Sequence, residues 1–392
     1  MKFEVEILSK EIIKPCYPTP SPLRNYQLSF LDQLHGHNHI SFVMFFPHNS
    51  ESQSVTEISH KLKKSLSHVL SRYYPLAGRL KDDDLFVNCN DEGIPFLEAQ
   101  VNCELSDVVQ NPDPHDLHKF IPFELDDKVD ILLGIQLNIF SCGGVAIGSR
   151  FSHKIEDALS TLMFLKFWAA ATRGGGDDED SNAVSPQFVS ATHFPPKDVE
   201  QVVDDPKVNF LMKNVITKRF VFESSKLEAL KEKFRDKTRI PSRVEALSAF
   251  IYARVFVKAL DEINYEDKDS YDGIARQAMR ELMINGSGKE HVKNLQEGVD
   301  QGLSFLKEHA VEFAKGDVVP LNFTSFCRFS LYQDFGWGKP SWVGKVPLPF
   351  KNFIVFMDTK TCDGIEVYID LEKDDMARLE IDDEFLSFVS ST

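Results

Sequence analysis

The stretch of this chain that is most informative about its fold is Asp334-Phe335-Gly336-Trp337-Gly338. Two glycines bracket a tryptophan here, and the 392-residue chain contains only three tryptophans, so the pattern is rare by chance. An Asp-Phe-Gly sequence also occurs in protein kinases. The chain has neither a glycine-rich loop before a lysine-bearing strand nor a His-Arg-Asp catalytic loop, and this excludes the kinase interpretation.

A second motif lies far upstream, where His153 is followed four residues later by Asp157. Of the twelve histidines only His153 has an aspartate at that spacing, although about one such match is expected by chance. The spacing alone is therefore weak evidence. An apolar run at residues 145–148 predicts a strand before His153, and apolar residues at helical spacing predict a helix after it. The histidine is thus expected at a strand-to-helix junction.

Hydrophobic periodicity predicts alternating strands and helices along the chain. The face formed by Ile58, Leu62, Leu66, Val69 and Leu70 predicts an amphipathic helix that ends before Pro75. Ser242 followed three residues later by Glu245 predicts a capping box at the start of another helix. The remaining predicted strands are 42–46, 85–88, 94–101, 135–139, 218–222, 322–331, 353–357 and 365–369, and the remaining predicted helices are 224–234 and 265–315.

Length and charge restrict the classes of protein. A chain of 392 residues is long enough for two domains, since single cores rarely exceed about 250–300 residues. A formal net charge of −16 argues against nucleic acid and anionic membranes as partners, because binding phosphates needs concentrated Lys and Arg. Any anionic ligand therefore needs a local basic patch that overrides the global field.

Cysteine usage and the amino terminus indicate a compartment. The six cysteines include no Cys-x-x-Cys pair and are expected to be reduced thiols. No apolar run approaches the roughly 20 residues that span a bilayer, and the first residues lack the organisation of a signal peptide. We expect a cytoplasmic monomer.

The two motifs, in this order and at this separation, resemble those of the plant BAHD acyltransferases. These enzymes transfer an acyl group from a coenzyme A thioester to an alcohol or amine. Further segments that resemble the family are residues 18–20, 31–33, 73–79, 88–93, 242–247 and 353–371. The pattern is most similar to the vinorine synthase-like alcohol acetyltransferases, which modify specialised metabolites such as alkaloids.

The resemblance implies an α/β fold with two chloramphenicol-acetyltransferase-like domains, each a mixed β-sheet flanked by helices, and a channel between them. We expect residues 1–190 to form an N-terminal domain carrying His153. Residues 191–213 would be a crossover linker, rich in Pro and Asp. Residues 214–392 would form a C-terminal domain carrying the Asp-Phe-Gly-Trp-Gly motif.

The resemblance also implies that His153 is the general base that deprotonates the acceptor, without a covalent acyl-enzyme. Imidazole suits this task, since its unperturbed pKa of about 6.5 leaves it mostly neutral near pH 7. Asp157 has two interpretations. It could orient the imidazole as in a catalytic triad, or, as the resemblance implies, it is structural and pairs with an arginine of an Asn-Leu-Arg-like segment. This chain lacks such a segment between residues 257 and 273.

Asp334 is a candidate catalytic residue. The resemblance favours a structural role instead, in which Asp334, Phe335, Gly336, Trp337 and Gly338 shape the channel for the coenzyme. The two glycines would permit backbone turns that other residues do not adopt.

The phosphates of acyl-CoA, the expected co-substrate, have their own candidate contacts. They are Ser242, Arg243 and Lys218, because a helix N-terminus and basic side chains attract anions. No permanently bound cofactor is expected. His35, His37 and His39 alternate as metal ligands on a strand do, but no carboxylate or cysteine completes a site nearby, so a loop or a lining of the acceptor pocket is favoured over a metal.

The predicted function is acyl-CoA-dependent O-acylation, with acetyl-CoA as donor and a hydroxyl of a plant specialised metabolite, an alkaloid or terpenoid, as acceptor. A carrier-protein-dependent condensation domain is disfavoured because Ser152 precedes His153 where such domains have a second histidine. The stretch from about Lys258 to Tyr271 is also shorter than the resemblance implies. A catalytically impaired or truncated pseudoenzyme of the same fold therefore remains the alternative.

Overall fold

The computed structural model describes residues 3–48, 53–81, 85–122, 130–174, 186–197, 215–235, 239–261, 321–348 and 350–390. The helix predicted at residues 265–315 lies outside these residues, as does most of the shortened stretch after Lys258. No helix in the described part of the chain combines the length and apolar character needed to cross a bilayer.

The strands of the described residues are β1 (Val5–Ile13), β2 (Asn25–Gln27), β3 (His39–Phe46), β4 (Arg79–Leu80), β5 (Phe86–Asn88), β6 (Ile94–Val101), β7 (Leu133–Phe140), β8 (Val145–Ser152), β9 (Val215–Phe222), β10 (Asn322–Ser325), β11 (Trp342–Lys345), β12 (Phe353–Asp358) and β13 (Ile365–Glu372). The α-helices are α1 (Phe30–Leu34), α2 (Val55–Arg72), α3 (Leu105–Val109), α4 (Ala158–Thr172), α5 (Ser190–His193), α6 (Ser224–Lys233), α7 (Arg243–Asp261), α8 (Lys373–Leu379) and α9 (Asp383–Phe388).

The chain divides into two compact units. The first comprises Met1–Asp204 and Phe329–Pro347, and the second comprises Asp205–Arg328 and Leu348–Thr392. Each contains a β-sheet and helices, which confirms the predicted α/β class with two sheet-containing units.

The first unit is built on a six-stranded sheet in the order β1-β6-β7-β8-β3-β11. Only β6 and β7 pair in parallel. Every residue of β3 and of β8 is buried, so the apolar runs at residues 42–46 and 145–148 lie in covered strands, as predicted. A small second sheet has the order β2-β5-β4.

Helices α2 and α4 are joined by a buried polar contact. The indole Nε1 of Trp168 donates to the carbonyl oxygen of Leu62 at 3.3 Å and to the hydroxyl of Ser65 at 3.0 Å. The Thr172 hydroxyl lies 2.8 Å from that of Ser65. The apolar face predicted for α2 is buried as expected. This packing fixes α4 and therefore the turn that precedes it.

The Asp-Phe-Gly-Trp-Gly segment belongs to the first unit. The prediction from the sequence was that it lies in a C-terminal domain of residues 214–392. The grouping has a physical cause, since β11 follows the motif and pairs antiparallel with β3, from Trp342 opposite Phe45 to Lys345 opposite Phe42. The sequence pattern did not predict β11 or β1.

The second unit contains a four-stranded sheet in the order β10-β12-β13-β9. Strands β10 and β12 are parallel, and the other pairs are antiparallel. One hydrophobic cluster joins this sheet to α6, α7, α8 and α9. In it the ring of Phe385 lies 5.0 Å from that of Phe220 and 6.1 Å from that of Phe250.

One predicted strand is shorter than expected. The prediction ran from Asn322 to Leu331, but β10 ends at Ser325. The chain turns out of the sheet because Arg328 adopts a left-handed conformation with φ of 69°. Its amide donates to the carboxylate of Asp358, which holds the turn in place.

Candidate active site

His153 lies in the turn between β8 and α4, at the junction predicted from the sequence. The preceding residue, Ser152, pairs with His39 on β3, and the His153 amide donates to the carbonyl oxygen of Asn38 at 2.8 Å. The backbone of the candidate base is therefore held by the buried sheet on one side and by a neighbouring loop on the other.

The imidazole of His153 is held by a ring contact. It stacks on the ring of His35 with the centroids 4.1 Å apart and the planes 16° from parallel. The Nδ1 atom of His153 is buried and has no hydrogen-bond partner among the described residues. Burial of Nδ1 distinguishes the two ring nitrogens of His153.

Asp157 caps the helix that follows the base. Its Oδ1 accepts a hydrogen bond from the amide of Ser160 at 2.7 Å, which makes it the N-cap residue of α4. The carboxylate of Asp157 is exposed, and among the described residues it makes no hydrogen bond or ion pair with an arginine or a histidine. The geometry supports the structural interpretation of Asp157 rather than a triad.

Glu156 is a residue of this turn that sequence reasoning overlooked. It is 3% exposed, and burial, with a smaller contribution from the charge of Asp157, raises the pKa of its carboxyl well above the ordinary value. Burial is the main cause that raises the pKa values of Tyr26 and Tyr73, and the charge of Glu156 adds a smaller contribution to each. In the sequence, the one sign of a role for Glu156 was its position next to the motif residue Asp157.

Two of the three alternating histidines, His35 and His39, have different neighbours. His35 stacks on His153, whereas His39 lies beside the guanidinium of Arg150, with Nδ1 and Nη2 3.2 Å apart. Burial and the Arg150 charge lower the pKa of His39 to about 3. Burial, the charge of His153 and that of Lys154 lower the pKa of His35 to about 4. Both rings are therefore neutral near pH 7.

Asp334 organises its own loop. Its Oδ1 accepts hydrogen bonds from the amides of Gly336 at 2.7 Å and Gly338 at 3.0 Å. Those glycines have φ angles of 109° and 100°, which residues with a Cβ rarely adopt. The Arg173 guanidinium donates to the Asp334 carbonyl oxygen. The Asp334 carboxylate therefore stabilises the backbone conformation of this loop.

Two aromatic residues anchor the same loop in the first unit. Phe335 is fully buried, with its ring 5.1 Å from that of Trp168 in an edge contact. Trp337 lies 5.9 Å from the ring of Phe46 on β3. The motif is thus packed on the same sheet and helix that position His153.

The three candidates for coenzyme phosphates lie in the second unit, and each has a partner there. Ser242 and Glu245 form the predicted capping box, with hydrogen bonds of 2.7 and 3.2 Å. Arg243 donates to the carboxylate of Asp358 at 3.2 Å and to two carbonyl oxygens of the β12–β13 turn. Lys218 forms an ion pair with Glu380 at 2.8 Å.

Comparison with known proteins identifies the family. The family model described as the Transferase family matches residues 3–268 and 277–386. Stemmadenine O-acetyltransferase of Catharanthus roseus is 35% identical, covering 99% of this chain and 98% of its own. A limonoid 21-O-acetyltransferase of Melia azedarach is 34% identical, covering 98% of each chain.

A solved structure is similar to this chain over its whole length. The crystal structure of vinorine synthase superimposes with a TM-score of 0.81 at 31% identity, covering 99% of both chains. The resemblance to the vinorine synthase-like acetyltransferases is thereby confirmed. The chain belongs to the BAHD family of acyltransferases.

Proposed function

We propose that this protein transfers an acetyl group from acetyl-CoA to a hydroxyl of a plant specialised metabolite, an alkaloid or a terpenoid, with His153 as general base. The observation that carries the proposal is the His153 ring itself, which is held at a strand-to-helix turn with Nδ1 buried. The names of the relatives support the class of acceptor, since stemmadenine and limonoid O-acetyltransferases are among them.

The chemistry follows from that placement. Nε2 of His153 removes the proton from the acceptor hydroxyl as its oxygen attacks the thioester carbonyl carbon. A carbon–oxygen bond forms and the carbon–sulfur bond breaks. The coenzyme leaves as a thiol that takes up the proton held by His153, so the base is regenerated without a covalent acyl-enzyme.

Other residues would support this reaction without touching the reacting atoms. Asp157 would hold the start of α4, and Asp334 would hold the loop of the second motif. Ser242, Arg243 and Lys218 remain the proposed contacts of the coenzyme phosphates. A phosphate would have to compete with Asp358 for Arg243 and with Glu380 for Lys218.

A catalytically impaired protein of the same fold is the second candidate. The match to the family model is interrupted between residues 268 and 277, close to the stretch where the Asn-Leu-Arg-like segment is absent. The carboxylate of Asp157 is occupied by capping and not by an arginine within the described residues. Such a protein would bind acetyl-CoA without turnover.

The experiment combines a substrate search with one substitution. The protein is incubated with radiolabelled acetyl-CoA and a plant extract, and any labelled product is isolated. His153→Ala should then slow formation of that product by about 10²–10⁴-fold, with acetyl-CoA affinity nearly unchanged. A variant that keeps half of the wild-type turnover would remove His153 from the role of base. A wild-type protein that binds acetyl-CoA but acylates nothing would favour the impaired protein.

A further inference from the structure

The ring stacked on the proposed base comes from a different part of the chain. His35 directly follows α1, whereas His153 follows β8, and the two are brought together by the pairing of β3 with β8. The near-parallel planes and the 4.1 Å separation of the centroids describe face-to-face contact over most of both rings. No local sequence pattern requires this contact.

The backbone of His35 is held in place by α1. Ser29 and Asp32 form a reciprocal capping box at the start of that helix, and the His35 amide donates to the carbonyl oxygen of Asp32 at 3.2 Å. The amide of Phe30 donates to the carbonyl oxygen of Phe194 at 2.9 Å, which fixes the helix to a neighbouring segment. The backbone of His35 is therefore fixed, and one face of its ring is covered by His153 while another part of the residue is exposed to solvent.

No hydrogen bond to Nδ1 fixes the plane of the His153 ring among the described residues. In catalytic triads a carboxylate accepts a hydrogen bond from Nδ1 and fixes both orientation and tautomer. Here Nδ1 has no partner in the described part of the chain, and the nearby carboxylate of Asp157 caps α4 instead. Among the described residues, the stack with His35 is therefore the contact that orients the ring.

The charges around the pair suit a histidine at position 35 that stays neutral. The pKa of His35 is lowered by burial, by the charge of His153 and by that of Lys154, while Asp157 opposes this to a lesser degree. Asp32 faces the same cluster from α1, and burial raises the pKa of its carboxyl. Because protonation of one ring disfavours protonation of the other, His35 is neutral when His153 takes up a proton. The ring of His35 therefore adds no like-charge repulsion during the reaction.

We infer that His35 is a positioning residue for the acyl transfer proposed above: its ring fixes the plane of the His153 imidazole and directs Nε2 towards the acceptor hydroxyl. The inference rests on the proposed role of His153. It requires an uncharged aromatic ring at position 35, not the ability of that ring to exchange protons.

Two substitutions of His35 in the full chain test whether a flat ring is needed at this position or whether apolar volume is enough. His35→Phe keeps a flat, uncharged ring, whereas His35→Leu keeps apolar volume without one. His60→Ala, an exposed histidine of α2, is the matched control. The readouts are the release of coenzyme A thiol from acetyl-CoA, with water or an acceptor from the plant extract, and NMR of ¹⁵N-histidine-labelled protein, with His153 assigned through His153→Ala. Melting temperatures confirm that each variant folds.

We expect His35→Leu to lower kcat by about 10- to 100-fold, with the KM for acetyl-CoA within about twofold of wild type, because a misdirected base slows the chemical step. His35→Phe should keep at least half of wild-type kcat. The ring-current shift on the His153 protons should be retained in His35→Phe and lost in His35→Leu.

The inference is overturned if His35→Leu keeps more than half of the rate, if His35→Phe loses as much as His35→Leu, or if the His153 resonances are the same in all three proteins. Failure of the proposed function has a different signature. In that case His153→Ala retains turnover, or the wild-type protein shows none, while the NMR comparison still decides whether His35 orients the His153 ring.

Discussion

A buried carboxyl group beside the proposed base links stability to pH. Glu156 is 3% exposed, its Oε2 has no hydrogen-bond partner among the described residues, and burial raises its pKa well above the ordinary value. In the unfolded chain the same carboxyl ionises near its usual pKa of about 4.3. Between these two values the folded state binds more protons than the unfolded state, so the free energy of unfolding falls as pH rises. The stabilising contribution is complete below the unfolded pKa and is lost as pH rises through the folded pKa.

Glu156→Gln should therefore flatten the decline of stability with pH. The amide has nearly the same shape as the protonated carboxyl but cannot ionise. We expect the melting temperature of the variant to fall less than that of wild type between pH 5 and pH 8. The control is Glu228→Gln, an exposed carboxylate on α6 paired with Lys231, which should leave the pH slope unchanged. An unaltered slope in Glu156→Gln would show that Glu156 ionises normally in the folded protein.

At the scale of single elements, the acid of each motif, Asp157 or Asp334, holds a backbone feature. Asp157 caps α4, whose far end is locked to α2 through Trp168. Asp334 holds two glycine amides in a loop with left-handed backbone. Both roles use a carbonyl-type oxygen and not a negative charge, so both are separable from catalysis by an amide substitution.

The helix cap gives the first test at this scale. Asp157→Ala should lower the free energy of unfolding by about 1 kcal/mol, because an N-cap acceptor is lost, while Asp157→Asn should change it by only a few tenths. Urea unfolding measures both. Turnover of Asp157→Asn should stay within a few-fold of wild type. A loss of about 10⁴-fold, as expected when the carboxylate of a triad is amidated, would instead make Asp157 the group that orients His153.

The loop of the Asp-Phe-Gly-Trp-Gly motif gives a second test at this scale. Asp334→Ala leaves the exposed amides of Gly336 and Gly338 without their acceptor and should cost about 0.5–1.5 kcal/mol of stability. Asp334→Asn keeps Oδ1 as an acceptor and should be milder, with any defect in folding or acetyl-CoA affinity larger than the defect in kcat. Calorimetry of acetyl-CoA binding and steady-state kinetics separate the two. A stable Asp334→Asn protein that binds normally yet turns over at least a hundredfold more slowly would make Asp334 catalytic.

At the scale of the whole molecule, the sequence indicates a stretch after Lys258 that is shorter than the family resemblance implies. The family resemblance implies a core strand there and the arginine that pairs with the carboxylate matching Asp157. If such a strand is absent, buried apolar area and ladder hydrogen bonds are lost, at a cost of several kcal/mol. The carboxylate itself is exposed and used in capping, so its lost partner adds little.

Grafting the missing segment from a close relative should raise both the melting temperature and the turnover of this protein. The comparison uses the native chain, the graft, and a graft in which the arginine of the added segment is replaced by Ala. If the native chain already acylates at about 1 s⁻¹ or faster, and the graft changes neither property, the shortening is harmless.

Much of the fold and part of the site followed from local sequence. The apolar face of α2, the capping box of Ser242 and Glu245, and the strand-to-helix junction at His153 depend on residues a few positions apart, and all three were predicted. Periodicity and capping act over one or two turns, so they can be read along the chain. The family followed from two motifs that are rare in combination, and the comparisons confirmed it.

Only the tertiary structure decided which distant residues meet. The stack of His35 on His153 depends on the register of β3 with β8, and the partner of Arg243 is an aspartate on β12. The burial of Glu156 and the pairing of β11 with β3 were likewise invisible in the sequence. These contacts join residues far apart in the chain, where no local propensity applies. They arise because burying the apolar faces of the sheet fixes strand register, and register then determines every side-chain neighbour.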